Sequence, residues 1–417
     1  MLSNTLVKLQ PGSIVLGSGG QKLDFMFLNL DEFIIYGEIL SRFLLMIPGP
    51  SIVNYETLLD MAKPTLSHVS AEFDQIHRET LEMLKKVFGT SGSVILIPGS
   101  GTAGIELGVR SSLKPGEKAV VLKTGFFGDY LAEAARRIGV KVDVIESPLG
   151  KGFGEENVKE LLSRGEYDAV LLQHVETSVA VYNPVDKIAK VAKKYGVKVI
   201  VDGIASIGGM EMKMDEWGVD VCITGSQKSL ATPPGLAIVA YRSGFIPLTD
   251  NETLYFNVSK LLSEMESTRN YYITPAVNMV YALYSSLNRI MKEGLETRYK
   301  RHEVFAKAVQ EGLEALGLKL VAEEPFRANT VTAAYLPNGI EWVKLYGEMH
   351  ARGVEIAGGL GALRGKIFRI GHMGEVTAHE IIATLATLER SLMKLGYRIE
   401  PGSAIKVAQE VLFIHGF

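Results

Sequence analysis

The chain has 417 residues, with 44 lysines and arginines against 47 aspartates and glutamates, a net charge of −3. That balance gives no electrostatic case for nucleic acid or an anionic membrane as partner, and 47% hydrophobic with 22% charged residues argues against a mainly disordered chain. The single cysteine, Cys222, excludes an intramolecular disulfide framework and a CxxC metal site and fits a reducing cytoplasm.

Residues 1–45 stand apart. Gly17-Ser18-Gly19-Gly20 is a breaker cluster, and the apolar stretches after it are interrupted by Asp31, Glu32, Glu38 and Arg42. The basic start and continuous apolar core of a signal peptide are missing. The segment is expected to be an amphipathic arm or short helix that packs on a partner subunit, or to precede a native start at Met46. From residue 94 a rhythm sets in: short β-branched runs at 94–97, 119–122, 140–145, 169–173, 197–201, 219–224 and 237–241 alternate with amphipathic helical patterns. Near-continuous apolar strands separated by such helices indicate α/β architecture, a mostly parallel seven-stranded sheet covered on both faces. After residue 276 the pattern changes. Long helical stretches at 279–294 and 295–316 are followed by expected strands at 319–322, 330–335, 354–356 and 367–370, a helix at 341–352 and a final helix at 378–395. This gives a large domain over 46–292, a smaller C-terminal α+β domain over 293–396, and a tail over 397–417.

In an open α/β sheet, ligands bind beyond the carboxyl ends of the strands, so the residues after each strand carry the chemistry. Gly99-Ser100-Gly101-Thr102-Ala103-Gly104 follows the first. Glycines let backbone amides approach a ligand, and the next helix offers its N-terminus to a phosphate. The stretch contains GxGxxG, yet the next strand ends in Lys123-Thr124 rather than the acid that holds a dinucleotide's ribose, which weakens a nicotinamide-dehydrogenase reading. Gly125-Phe126-Phe127-Gly128 can lay a ring against a flat heterocycle or simply fill core. The polar cluster His174-Val175-Glu176-Thr177-Ser178 can hydrogen-bond a cofactor oxygen; no second histidine at ligand spacing makes it a metal site. Asp202, at the tip of a buried strand, either caps the stretch after it or stabilises a cationic ring nitrogen. Lys228 is either a surface lysine or, desolvated at the mouth of the sheet, an amine nucleophile. Arg369, inside an apolar strand, grips a carboxylate or forms a structural ion pair. Together, a phosphate cradle, a stacking ring, an acid, a reactive amine and a carboxylate clamp match a pyridoxal phosphate enzyme acting on an amino acid.

The motifs Pro48-Gly49-Pro50, Gly99-Ser100-Gly101-Thr102, Val201-Asp202-Gly203-Ile204-Ala205-Ser206, Gly225-Ser226-Gln227-Lys228 with Pro233-Pro234-Gly235, and Phe368-Arg369-Ile370-Gly371 make the chain resemble the class V aminotransferases of fold type I, in the alanine–glyoxylate and serine–pyruvate or serine–glyoxylate group. The resemblance runs from about residue 47 to 395. It implies that Lys228 forms the internal aldimine with pyridoxal 5'-phosphate and moves a proton, and that Asp202 pairs with the pyridinium nitrogen. It further implies that Gly101, Thr102 and Gln227 hold the phosphate, that Thr177 lies near the ring hydroxyl, and that Phe127, or alternatively Phe126, stacks on the ring. Tyr272 and Thr274 would reach the phosphate of the neighbouring subunit in a homodimer, Arg369 would bind the substrate α-carboxylate, and Gly49 would lie along the substrate. The implied reaction is ping-pong transamination between alanine or serine and glyoxylate or pyruvate. Arg42, Arg78 or Arg327 could serve a second carboxylate. A phosphonate transaminase or a lyase are the alternatives within the family; a desulfurase, which needs a nucleophilic cysteine on a loop distant from the lysine, is disfavoured because Cys222 is expected mid-strand, six residues before Lys228. The family usually continues the Glu-Thr/Ser-Ser motif with Thr-Gly; here Val179-Ala180 stand instead.

Overall fold

The computed structural model describes residues 43–249, 251–266 and 271–417, so of the expected N-terminal arm only 43–45 are seen and the rest lies outside the described residues. The chain enters with strand β1 (Leu44–Leu45) and helices α1 (Tyr55–Met61) and α2 (Ala71–Phe88). An alternating series follows: β2 (Val94–Pro98), α3 (Gly101–Arg110), β3 (Lys118–Lys123), α4 (Gly128–Arg137), β4 (Lys141–Glu146), α5 (Glu155–Arg164) and β5 (Ala169–Gln173). A short hairpin of β6 (Val175–Glu176) and β7 (Val181–Tyr182) leads to α6 (Val185–Lys194), β8 (Lys198–Asp202), α7 (Met214–Trp217), β9 (Val221–Gly225) and β10 (Leu236–Tyr241). The remainder comprises α8 (Val258–Glu266), α9 (Val277–Glu293), α10 (Leu295–Ala315), β11 (Val331–Tyr335), α11 (Trp342–His350), β12 (Val354–Glu355), β13 (Ala357–Gly358), β14 (Ile367–Gly371), α12 (Ala378–Lys394) and α13 (Ser403–Ile414).

The large sheet has seven strands in the order β2-β10-β9-β8-β5-β3-β4. Only β10 runs against its neighbours; the pairings from β9 through β4 are parallel. All its strands but the edge strand β4 are buried on both faces, which is why their sequences read as continuous apolar runs rather than alternating ones. Along β2, Val94 and Leu96 enter the core on one face, Ile95 and Ile97 the core on the other. The edge strand β4 carries Lys141, Asp143 and Glu146, charges that protect an open edge from further pairing. β3, β5, β8 and β9 share one direction, so the loops after them gather at one rim of the sheet.

A second core contains Met46, residues of α10, Phe368 and Ile370 of β14, and α12. It packs beside the antiparallel sheet β11-β14-β13. Residues 403–414, expected as part of a tail, form helix α13, and its Ala404, Ala408, Val411 and Leu412 join this core. Gly294, at φ 85°, breaks the helical stretch into α9 and α10. The strand expected at 319–322 reduces to a single bridge, Leu320 to Ala334, because the chain then turns so that the Glu323 N–H bonds the Gly150 carbonyl.

Candidate functional site

Asp202 closes β8, flanked by the parallel strands β5 and β9. Its Oδ1 accepts the N–H of Ile204 at 2.9 Å, a local turn that fixes the carboxylate. Burial pushes its pKa up to about 7; the Glu176 charge adds to the rise, while the Ile204 N–H and Lys228 oppose it.

Lys228 stands three residues past β9. Its loop is pinned by Ser226, whose Oγ donates to Pro233 O at 2.7 Å, and by Ser51, whose Oγ donates to the Lys228 carbonyl at 2.6 Å. The ammonium donates to the Pro48 carbonyl. Burial lowers its pKa to about 8; Arg369 lowers it further, while Asp202 and Glu176 act the other way. Gly49, at φ +110°, lies against this side chain: a Cβ there would come within 2.5 Å of Lys228 Cδ and 2.7 Å of Nζ, so only glycine fits.

Opposite lies the glycine turn into α3. Ser100, the N-cap, makes no side-chain capping bond, which leaves first-turn N–H groups free for a ligand. Phe127 follows β3, and Phe126, 39% exposed, packs edge-on against it at 5.3 Å. These elements enclose a cavity of about 330 Å³ whose lining includes Gly49, Gly101, Thr102, Phe127, Thr177, Asp202, Gln227 and Lys228, all eight named from the sequence. Arg369 is not part of this lining but adjoins it through Thr177: its Nε donates to Gly358 O at 2.8 Å and its Nη1 to Thr177 O at 3.1 Å. Burial lowers its pKa to about 10, which leaves it charged at neutral pH.

Tyr272 and Thr274 do not enter this cavity. Tyr272 donates its hydroxyl to Leu254 O at 2.7 Å, and Thr274 is exposed. Of the arginines considered for a second carboxylate, Arg78 pairs with Asp74 at 3.1 Å and Arg327 with Glu314 at 2.6 Å; Arg42 lies outside the described residues. Cys222 is fully buried in β9 and burial pushes its thiol up, the opposite of what a desulfurase nucleophile needs. The sequence places Glu176 in a polar cluster but assigns it no task. It is wholly buried, and its two oxygens accept the N–H groups of Ser178 and Phe127, each at 2.9 Å. The signal is there: a glutamate three residues beyond a buried strand has to be paired. Tyr130 and Ser100, which also line the cavity, carry no such signal.

A seven-stranded sheet of this order, with aspartate and lysine at neighbouring strand ends, defines the class as a fold type I pyridoxal phosphate enzyme. The class V aminotransferase profile matches residues 54–369, and the chain belongs to that family. An uncharacterized aminotransferase of Methanocaldococcus jannaschii is 39% identical over 375 residues, 88% of this chain and 97% of that protein. The L-aspartate–glyoxylate aminotransferase of Paracoccus denitrificans is 33% identical, covering 88% of this chain and 95% of its own. Among solved structures, the ureidoglycine–glyoxylate aminotransferase of Bacillus subtilis superposes with a TM-score of 0.84 at 33% identity over 88% of this chain and 97% of that one. The protein is therefore an aminotransferase with pyridoxal phosphate as cofactor. The cavity fits that group: it supplies an amine, a carboxylate and uncapped helix amides. The Gln227 amide there has its Oε1 without a hydrogen-bond partner among the described residues, and with the amide turned over its Nε2 would donate to a phosphate.

Proposed function

We propose that the protein carries out ping-pong transamination between a small amino donor, alanine or serine, and a small 2-oxo acid, glyoxylate or pyruvate. The observation that carries this reading is a buried amine and a buried carboxylate in one cavity of about 330 Å³, beside which the Arg369 guanidinium donates to the main-chain carbonyl of Thr177, a lining residue. One buried guanidinium suits a substrate with one carboxylate. Glyoxylate appears in the names of the aspartate and ureidoglycine relatives, which supports it as acceptor.

When bound, pyridoxal phosphate supplies the carbon that receives the amino group and a ring that withdraws charge from the substrate Cα. Lys228 would hold the cofactor and move the proton at Cα, a task suited to an amine that loses its charge near pH 8. Asp202 would meet the ring nitrogen. Gly101, Thr102 and Gln227 would hold the phosphate, Phe127 the ring face and Thr177 the region of its hydroxyl. Arg369 would take the α-carboxylate, and Gly49 would leave room along the substrate. The site would be completed in a homodimer, with Tyr272 and Thr274 serving the partner's cavity. Their distance from the cavity of their own chain and the exposed Phe126 and Tyr130 at its side support this. A cytoplasmic location fits the lone buried cysteine; among the described residues no helix is long and apolar enough to cross a membrane.

The test is the visible spectrum of the cofactor-loaded protein. The band should bleach on adding L-alanine or L-serine and return with glyoxylate or pyruvate. Lys228→Ala should lose at least about a thousandfold in turnover. Bleaching by L-aspartate alone would overturn the donor assignment; a wild-type spectrum and rate in Lys228→Ala would overturn the mechanism.

A further inference from the structure

Glu176, Thr177 and Ser178 form a three-residue strip across the back of the cavity. The side chains at its two ends point to one wall. Glu176 Oε2 accepts the Phe127 N–H at 2.9 Å and Ser178 Oγ accepts the Phe126 N–H at 3.0 Å. The main chain at its middle faces the other: the Thr177 carbonyl accepts Arg369 Nη1 at 3.1 Å. Gly125 permits the close fit, since a Cβ there would fall 2.5 Å from both Glu176 Cγ and Ser178 Oγ. Asn183 ties the end of β5 to the loop after β3, donating to the Gln173 carbonyl at 2.9 Å and to Thr124 Oγ1 at 3.3 Å.

A buried carboxylate is costly unless it is paired or hydrogen-bonded. Glu176 has no exposed surface, and both of its oxygens are taken by backbone amides rather than by a cation. Arg369, near enough for its charge to act on Glu176, is bonded to carbonyls instead. Burial raises the Glu176 pKa, while the Ser178 and Phe127 N–H groups and the Arg369 charge oppose the rise, and the two Arg369 bonds go to carbonyls rather than to this carboxyl.

We propose that Glu176 is a positioning residue: it sets the Phe127 ring against the cofactor and ties that wall to Arg369 through the main chain of Thr177. This rests on the reading above that the cavity holds pyridoxal phosphate against Phe127. Glu176→Gln keeps the shape but only one acceptor oxygen, so one of the two N–H groups, Phe127 or Ser178, loses its acceptor and the strip is no longer held at both points.

The test is a double-mutant cycle on cofactor binding, using wild type, Glu176→Gln, Phe127→Ala and the double variant. Pyridoxal phosphate is titrated into each apoprotein by fluorescence quenching, and the circular dichroism of the bound cofactor is recorded. Each single variant should bind about tenfold more weakly, the worth of one charge-assisted hydrogen bond or of a lost ring face. The double should stay near tenfold, because both act through one ring, and Glu176→Gln should diminish the cofactor's dichroic band. Unchanged affinity in Glu176→Gln, or losses that multiply to about a hundredfold, would overturn the proposal. Unchanged affinity in Phe127→Ala would instead sink the stacking assignment and the proposal with it. Should Glu176→Gln fail to fold, Ser178→Ala replaces it, with a loss of about threefold that disappears in the Phe127→Ala background; no loss, or a loss that persists there, overturns the proposal.

Discussion

The two walls of the cavity are finished to different degrees. On the side of the large sheet, Gln227 Oε1 has no bonding partner among the described residues, and Asp202 and Lys228 are displaced toward each other in pKa, to about 7 and about 8. On the side of the smaller sheet, Arg369 sits mid-strand in β14, paired with Ala333 and Ala357, its fork already fixed by two carbonyls. The first wall is completed by the group it binds, so its burial appears as shifted ionisation. The second is complete beforehand, so its burial appears as fixed direction. A group that performs proton transfer benefits from being easily shifted, and one that orients a substrate benefits from rigidity.

The strongest way to break this contrast is Arg369→Lys. A lysine keeps the charge but cannot hold Gly358 O and Thr177 O while presenting a planar fork. If the second wall works by direction, kcat/KM for the amino donor should fall about a hundredfold, with the affinity for pyridoxal phosphate nearly unchanged. A loss below about threefold would show that charge alone suffices there.

The first wall is sharpened by pH. Asp202 rises from 3.8 to about 7 on folding, so between those values the native apoprotein keeps a proton that the unfolded chain has released. Its contribution is therefore present below about pH 4 and lost as pH climbs to about 7. Lys228 falls from 10.5 to about 8. Over that interval the native state has released a proton that the unfolded chain retains, and stability rises with pH. The buried His77, His174, His302 and His372, whose pKa values burial lowers, add an opposite slope below neutral pH, so each signature is read as a difference from wild type. The melting difference between wild type and Asp202→Asn should change between about pH 4 and 7, and that between wild type and Lys228→Met between about pH 8 and 10; differences that stay flat with pH would refute the buried ionisation.

The fold is readable because the physics of a doubly covered sheet is local: both faces need apolar residues, so six of the seven strands announce themselves as apolar runs, and the exposed edge strand β4 shows through the β-branched residues between its charges. The same holds for Lys228, Asp202 and Gly49, which lie beside quotable motifs. Glu176 escapes assignment because its partners are amides 49 residues upstream and two residues downstream, and amide donors leave no mark in a sequence. Helix α13 reads as tail because its terminal Phe413-Ile414 pair and the residues before it give no clean stripe; Phe413 is exposed while Val411 and Leu412 are buried. The role proposed for Tyr272 and Thr274 would depend on a second chain, which no periodicity encodes.

The smallest predicted effect concerns the seam between the walls. Hairpin β6–β7 continues the Glu176 strip and bonds the smaller-sheet side, where the Ala180 carbonyl accepts the Ala328 N–H at 3.1 Å. Ala180 sits at φ 60°, where the family pattern has glycine. The left-handed region costs an L-residue about 1–2 kcal/mol. Against that relief, Ala180→Gly gives up one buried methyl, about 0.8 kcal/mol, and loosens the unfolded chain by about 0.5–1 kcal/mol. The terms nearly cancel, so thermal melting should place Ala180→Gly within about 0.5 kcal/mol of wild type. Ala189→Gly, at an equally buried position inside α6, has no strain to relieve and should lose about 1–2 kcal/mol. Equal losses in the two variants would mean that the seam holds Ala180 without strain, and that this departure from the family motif is free.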